Sequence, residues 1–201
     1  TDSFRLAEKT ITDQQMKIEA KEIFKVIIPL KTIQEITRIF PPQGEIVLTI
    51  DEHQMLIKND VVELISRIID GDYPDYDAVI PKTFETELSL EKEYLTQALK
   101  LVSNFSSKIN DVHFRLRPDQ SSLELYSSHQ YIGENTFLVP VKMKGQPFTD
   151  ITFNWRYVLD GARSIPHNDL LLSLNGETKP GLLTSPKDVS YRYVVMPIRT
   201  Q

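Results

Sequence analysis

Three times along this chain the same succession of signals appears: an alternating strand run, a helical apolar stripe, then further strand runs. The stripes open at Ile33, Leu95 and Val158. Recurrence of this kind marks one supersecondary unit used repeatedly, and each copy must bury its apolar face against a neighbour. The expected fold class is α+β, built from repeated βαβββ units with helices on one face and antiparallel sheets on the other.

The first unit reads as a strand over Glu22–Ile28, a helix from Leu30 to Phe40 opened by Pro29, and a stop at Pro41-Pro42-Gln43-Gly44. Strands rich in Val, Ile and Leu follow at Glu45–Ile50, Gln54–Lys58 and Val61–Ile69. The second unit has a strand over Phe84–Leu90 and a helix over Glu91–Phe105. Its Leu95, Leu99 and Val102 fall at i, i+4 and i+7. Strands are expected near Asp111–Arg117, Ser122–Ser127 and Tyr131–Val139. The third repeats this with Phe148–Phe153, a helix over Asn154–Ile165 striped by Val158, Ala162 and Ile165, and strands near Asp169–Leu174, Gly181–Thr184 and Val189–Pro197. Asn175-Gly176 is a turn signal.

The stretch Asp70-Gly71-Asp72-Tyr73-Pro74-Asp75-Tyr76-Asp77 interrupts the repeat and reads as a linker. The expected division is therefore residues 1–72 as half of one domain, 73–83 as the linker and 84–201 as a complete domain. The first unit lacks a partner unit, and Thr1–Ala7 reads as the last strand of a missing one. A larger parent protein is expected.

With no cysteine among 201 residues, neither disulfides nor thiolate metal sites can hold the chain together, and a cytoplasmic location fits. No apolar run approaches membrane-spanning length. The acidic linker fails as a calcium loop, because Pro74 and Asp75 occupy its fifth and sixth positions and Pro81 its twelfth, where a bidentate Glu is needed. An enzyme built on that linker is a third functional class, and it predicts tight divalent-cation binding that is lost on changing Asp70 and Asp72. The four histidines, His53, His113, His129 and His167, show no metal-ligand spacing. A GxSxG elbow, a phosphate-cradling loop and GxGxxG are all missing from a chain with only seven glycines. No catalytic residue, cofactor or metal is expected.

The helices carry recurrent basic residues. Lys31, Glu35 and Arg38 stand at i, i+4 and i+7, Arg156, Asp160 and Arg163 repeat that spacing, and Lys92 and Lys100 flank the second helix. These rows lie away from the apolar stripes. One reading is an intrahelical ion-pair ladder worth tenths of a kcal/mol per pair. The other follows from the repeat: equivalent helices lie on one side, where their cations sum into a surface able to hold a phosphate backbone without reading its sequence. The net charge of −5 argues against a surface wrapped in nucleic acid but leaves room for one basic face. The tail Tyr193–Arg199 places apolar residues beside Pro197, which ends the strand ladder.

Thr1-Asp2-Ser3-Phe4-Arg5-Leu6-Ala7, Tyr73-Pro74-Asp75-Tyr76 with Val79-Ile80-Pro81, Phe153-Asn154 with Tyr157-Val158-Leu159-Asp160, and the tail Tyr193–Arg199 together resemble the bacterial DNA polymerase III beta-subunit family, the sliding clamps. The resemblance covers the whole chain in order, as the second half of the family's middle domain plus its third domain. It implies a non-catalytic processivity factor associated with a DNA-directed DNA polymerase, a nucleotidyltransferase. It also implies a head-to-tail homodimeric ring around double-stranded DNA, whose channel would be lined by Lys31, Arg38, Lys92, Lys100, Arg156 and Arg163. Phe105 would face the neighbouring subunit.

The family's peptide pocket takes Gln-Leu-x-Leu-Phe-like motifs of the replicative polymerase, clamp loader and repair proteins. The resemblance carries it onto Thr1, Phe4, Arg5, Leu6, Pro74, Val79, Val194 and Met196 in one compartment, and Asn154, Tyr157, Pro197, Ile198 and Arg199 in a second, with Val195 also among the peptide-binding residues. Phe4 stands where a histidine is frequent, and Ala78 where some members carry a basic residue. The competing reading is a β-rich protein–protein interaction module with no DNA role.

Overall fold

The structure, a computed structural model, describes residues 1–11, 17 and 25–199. They divide into two compact units, Thr1–Met16 with Tyr76–Gln201, and Lys17–Asp75.

The larger unit contains β1 (Arg5–Lys9) and two complete repeats. The first repeat is β5 (Thr86–Glu91), α2 (Lys92–Val102) and β6 to β8 (Asp111–Leu116, Ser122–His129, Gly133–Gly145). The second is β9 (Ile151–Asn154), α3 (Trp155–Ser164) and β10 to β12 (Asp169–Leu174, Gly181–Ser185, Asp188–Val195). Strands β1 and β5 to β12 form one antiparallel nine-stranded sheet, ordered β1-β12-β11-β10-β5-β8-β7-β6-β9. The two repeats interlock: the opening strand of each pairs with the first post-helix strand of the other, β5 with β10 and β9 with β6. Neither repeat can form its full sheet alone.

The helical stripes expected from the sequence enter one core. Leu95, Leu99 and Val102 are fully buried, and Val158, Ala162 and Ile165 nearly so, against Leu88, Phe114, Leu125, Phe153 and Leu172 of the sheet. Each buried Leu, Ile, Val or Phe side chain contributes about 1.5–3 kcal/mol over its exposed state, so the stripes are what holds the helices down. The helix pair is antiparallel, because the start of α2 meets the end of α3 and the start of α3 meets the end of α2. Lys92 N–H donates to Asn168 O at 2.6 Å and Glu93 N–H to Asn168 Oδ1 at 3.1 Å, while Trp155 N–H donates to Asn110 O at 2.8 Å. Two helix starts, each with donors unsatisfied by its own helix, are thus met by the loop preceding the other repeat's first post-helix strand. The dipeptides Asn110-Asp111 and Asn168-Asp169 are the repeated sequence signal for this, one that periodicity does not detect.

The smaller unit contains α1 (Leu30–Ile39) and the antiparallel sheet β2-β3-β4 (Val47–Ile50, Gln54–Lys58, Glu63–Arg67). Phe40, Met55 and Ile57 form its core. Of the expected strand Glu22–Ile28, residues 22–24 lie outside the described residues, and Ile27 forms a single antiparallel bridge to Ile69.

The structure differs from expectation in four places. Residues 103–105 leave the α-helix as a 3-10 turn, so Phe105 lies beyond α2. Strand β8 extends to Gly145, where β5 takes over from β7 as its partner. Asn175-Gly176 begins a longer loop instead of a tight hairpin: Gly176 has φ +75°, and the Asn175 side chain bonds Glu85 N–H and Thr83 O, both at 2.8 Å. The opening strand, Arg5–Lys9, pairs with β12 through Arg5–Val195 to Lys9–Tyr191, so by contact it belongs with the residues after 76.

Candidate functional site

Where β1 meets β12, a tight turn presents Phe4 and Arg5. Asp2 Oδ1 accepts from the N–H groups of both at 3.1 Å, and Thr1 Oγ1 donates to Arg5 O at 2.7 Å. Arg5 then reaches α3. Its Nη1 lies 2.6 Å from Asp160 Oδ2, its Nε 2.9 Å from Asp2 Oδ2, and its guanidinium 4.4 Å from the centre of the Tyr157 ring. Burial works against the Arg5 charge, but hydrogen bonds to Asp160, Asp2 and Tyr193 outweigh it and raise its pKa. The Tyr193 phenol donates to Tyr157 O at 2.8 Å, and burial pushes its pKa up to about 12. Phe4 remains 58% exposed, its ring stacked on Tyr157 at 6.3 Å and 25°.

Beside this cluster Leu6, Ile80, Leu182 and Val194 form a small separate core, flanked by Tyr76 and Phe84, with Val79 exposed on the adjoining turn. The tail leaves β12 and runs between two sheet edges. Met196 N–H donates to Phe4 O at 2.8 Å, and Ile198 N–H donates to Thr152 O on β9 at 2.7 Å. Met196, Pro197 and Ile198 are half-buried and Arg199 is exposed. Asn154 caps α3 by accepting from Arg156 N–H at 3.0 Å and donates to Ile109 O at 3.3 Å. The result is a surface of Phe4, Val79, Tyr157 and Met196–Arg199 that is largely apolar, with fixed backbone and a buried floor.

Of the residues carried over by resemblance, Thr1, Phe4, Arg5, Leu6, Val79, Asn154, Tyr157, Val194 and Met196–Arg199 all belong to this unit, whereas Pro74 falls in the other. The adjacent Val194 and Val195 face different cores. Val194 joins the small core beneath the surface, but Val195 is a correction: fully buried, its side chain enters the main core and offers nothing to a ligand. Successive strand residues point to opposite faces, so adjacent valines cannot serve one surface. Of the remaining floor residues, Ile80 stands in the Val79-Ile80-Pro81 motif but outside the expected pocket, and Leu182 lies within a strand that carries no motif to mark it.

The basic residues separate likewise. Lys100, Arg156 and Arg163 are exposed on α2 and α3. Arg156 is steered by Asn110 Oδ1 at 3.1 Å and by the Trp155 ring at 4.9 Å. Lys92 is a correction: its Nζ donates to Ile165 O at 2.7 Å and Pro166 O at 3.4 Å, capping the end of α3 where the helix dipole favours a cation. The expected Arg156–Asp160–Arg163 ladder is also replaced, since Asp160 pairs with Arg5. In the smaller unit Lys31 and Arg38 are exposed, and Arg38 pairs with Glu35, so the ladder reading holds for that pair. Phe105 is half-buried near Gly133 at the start of β8.

His113 accompanies Asp150 at 3.0 Å and Thr152 at 3.1 Å as part of a sheet-surface network with Arg115. Among the described residues no three His, Asp or Glu side chains converge as metal ligands, and no helix is long and apolar enough to cross a membrane.

Two interlocked βαβββ repeats with paired antiparallel helices define the DNA-clamp architecture, and solved structures bear this out. A DNA polymerase sliding clamp from Bacillus subtilis matches all of this chain and 53% of its own, with TM-score 0.92 and 28% identity. The Caulobacter crescentus beta sliding clamp matches all of this chain and 52% of its own, with TM-score 0.90 and 30% identity. The family model described as the DNA polymerase III beta subunit, C-terminal domain, matches residues 77–199, and that for the central domain matches residues 1–75. The chain belongs to the DNA polymerase III beta subunit family. The beta sliding clamp of Synechococcus elongatus is 30% identical over 203 residues, covering 99% of this chain and 53% of that protein. The chain spans about half the length of the curated relatives it matches.

Proposed function

We propose that this chain is the peptide-binding part of a sliding clamp, a non-catalytic processivity factor that acts in the cytoplasm as a head-to-tail ring around duplex DNA. The observation that carries the reading is the tail. Met196–Arg199 is held by backbone bonds to Phe4 and to Thr152 of β9 and leaves the side chains of Met196, Pro197 and Ile198 half-exposed, directly after Val194 of the Leu6–Ile80–Leu182–Val194 core. Such a ledge suits a short segment with apolar anchors, of the Gln-Leu-x-Leu-Phe kind found on polymerases, clamp loaders and repair proteins. Burying two anchors yields about 3–6 kcal/mol before the cost of association, so micromolar affinity is expected, which suits partners that exchange. Fluorescence polarisation with a labelled Gln-Leu-Asp-Leu-Phe peptide tests it. Deleting Met196–Gln201 abolishes binding, and unchanged polarisation after deletion rejects the pocket.

The DNA-facing side is assigned to α2 and α3, where Lys100, Arg156 and Arg163 are exposed on neighbouring antiparallel helices, with Lys31 and Arg38 of α1 in the same role. Phosphate contacts that few are weak and salt-labile, as sliding requires. Titrating the chain with a short duplex at low salt shifts NMR signals of α2 and α3, and these shifts vanish on raising salt or on reversing Arg156 and Arg163 to Glu. Peptide affinity stays unchanged in the reversed variant. Shifts absent from these helices favour the interaction module without a DNA role. The subunit contact is assigned to the 3-10 turn after α2 that carries Phe105.

A further inference from the structure

We propose that the smaller unit pairs with the same unit of a second copy of this chain, each supplying the partner repeat that the other lacks. All three repeats close on themselves in one way: the opening strand, or the residue just before it, accepts a bond from the run that follows the last post-helix strand. The bonds are Ile69 N–H to Ile27 O at 2.8 Å, Gln146 N–H to Glu85 O at 2.7 Å and Ile198 N–H to Thr152 O at 2.7 Å. That contact uses one edge of each opening strand. In the larger unit the other edge takes the first post-helix strand of the neighbouring repeat, β5 with β10 and β9 with β6. Strand β2 is the first post-helix strand of the smaller unit, and among the described residues its outer edge has no strand partner.

The side chains agree with the edges. Aligned on that strand, Gly44-Glu45-Ile46-Val47-Leu48 corresponds to Asn110-Asp111-Val112-His113-Phe114 and to Asn168-Asp169-Leu170-Leu171-Leu172. Val112 and Phe114 are fully buried and Leu170 and Leu172 nearly so, whereas Ile46 is 50% and Leu48 48% exposed. Helix α1 shows the same deficit, since Ile33 is 39% exposed while its equivalents Leu95 and Val158 are buried. Leu48 stands opposite the buried Ile57 on β3, so it lies on the core face, where a second helix would complete the layer. What is uncovered here is thus what the interlock covers in the larger unit. The occupant must bring both an opening strand and a free first post-helix strand at matched spacing. The repeats of the larger unit are already committed to each other, and a second smaller unit carries both elements. Exchange of identical edges across a two-fold axis is self-complementary and closes at two copies, unlike the head-to-tail contact assigned to Phe105.

Sedimentation of the 201-residue chain over a range of concentrations tests this, and a reversible monomer–dimer equilibrium is expected. Leu48→Glu and Ile33→Glu bring unpaired carboxylates to the covered face and raise the dissociation constant by more than about tenfold. Ile65→Glu, on the opposite face of the same sheet, and Phe105→Glu leave it unchanged. A wild-type chain that stays monomeric at every concentration overturns the proposal and leaves the face to a repeat outside this chain. A dimer that survives Leu48→Glu, or that is lost with Ile65→Glu or Phe105→Glu, overturns it as well, because the contact then lies elsewhere. Leu48 and Ile33 already meet water in the single unit, so a charge at either leaves the fold intact, which circular dichroism checks. The wild-type mass is decisive by itself, so a variant that fails to fold does not protect the proposal.

Discussion

Gly161 sits in the middle of α3, where an alanine would normally stabilise the helix by about 1 kcal/mol. Here a Cβ would collide with the ring of Tyr193, which is 5% exposed and cannot retreat. Gly161→Ala is therefore expected to destabilise by about 1–3 kcal/mol net, read as a lower urea midpoint at unchanged slope. Tyr193 also makes a pH prediction. Burial raises its pKa from 10.0 to about 12, so between those values the unfolded chain has released a proton that the folded chain retains. Stability that is whole below pH 10 then falls as pH rises through 12, by on the order of 2 kcal/mol. Tyr193→Phe gives up the bond to Tyr157 O, about 1 kcal/mol at neutral pH, but does not share this loss. Urea melts from pH 9 to 12 should show the variant overtaking wild type, and parallel curves refute the assignment. Little of this network was legible in the sequence. The motifs marked Arg5, Tyr157 and the tail, but residue spacing gave Asp160 two cationic neighbours on its own helix. Its actual partner arrives from a strand at the other end of the chain.

The helices were the most legible elements, because a stripe at i, i+4 and i+7 has one physical use in a sheet-backed fold: burial against that sheet. The same regularity misled for Lys92. Its spacing matches the exposed cations, whereas its environment is the end of the neighbouring helix, a relation set by antiparallel packing and invisible to periodicity. Lys92→Met should therefore lower stability by about 1 kcal/mol through the lost cap. Lys100→Met should leave stability unchanged and weaken low-salt DNA binding. Thermal melts and duplex titrations of the two variants separate the roles, and a Lys92 variant as stable as wild type removes the capping assignment. Strand boundaries were less legible than helices. The extension of β8 to Gly145 reflects a change of partner from β7 to β5, and that handover depends on the interlock of two repeats.

At the scale of the whole molecule, the repeat predicts that every module is covered by another, and the two units differ in how far this is met. Leu95 and Val158 open their stripes fully or nearly fully buried, whereas the equivalent Ile33 of α1 is 39% exposed. In the larger unit β1 performs a covering role from a distance in sequence. It pairs with β12 from Arg5 to Lys9, is cross-linked by Arg192–Glu8 at 2.6 Å and Lys9–Asp188 at 2.9 Å, and sends Leu6 into the floor beneath the candidate ledge. Removing residues 1–11 would strip an edge from the nine-stranded sheet and uncover that floor. The lost burial of Leu6 alone is worth about 2–3 kcal/mol, and the freed β12 edge becomes a template for pairing with another chain. The truncated protein is expected to melt at lower urea and to self-associate in light scattering, while Leu6→Ala in the intact chain destabilises by about 2–4 kcal/mol and stays monodisperse relative to wild type. The contrast is the informative part: self-association by both proteins would trace it to the exposed floor, and by neither would mean that β1 is dispensable to the sheet it borders.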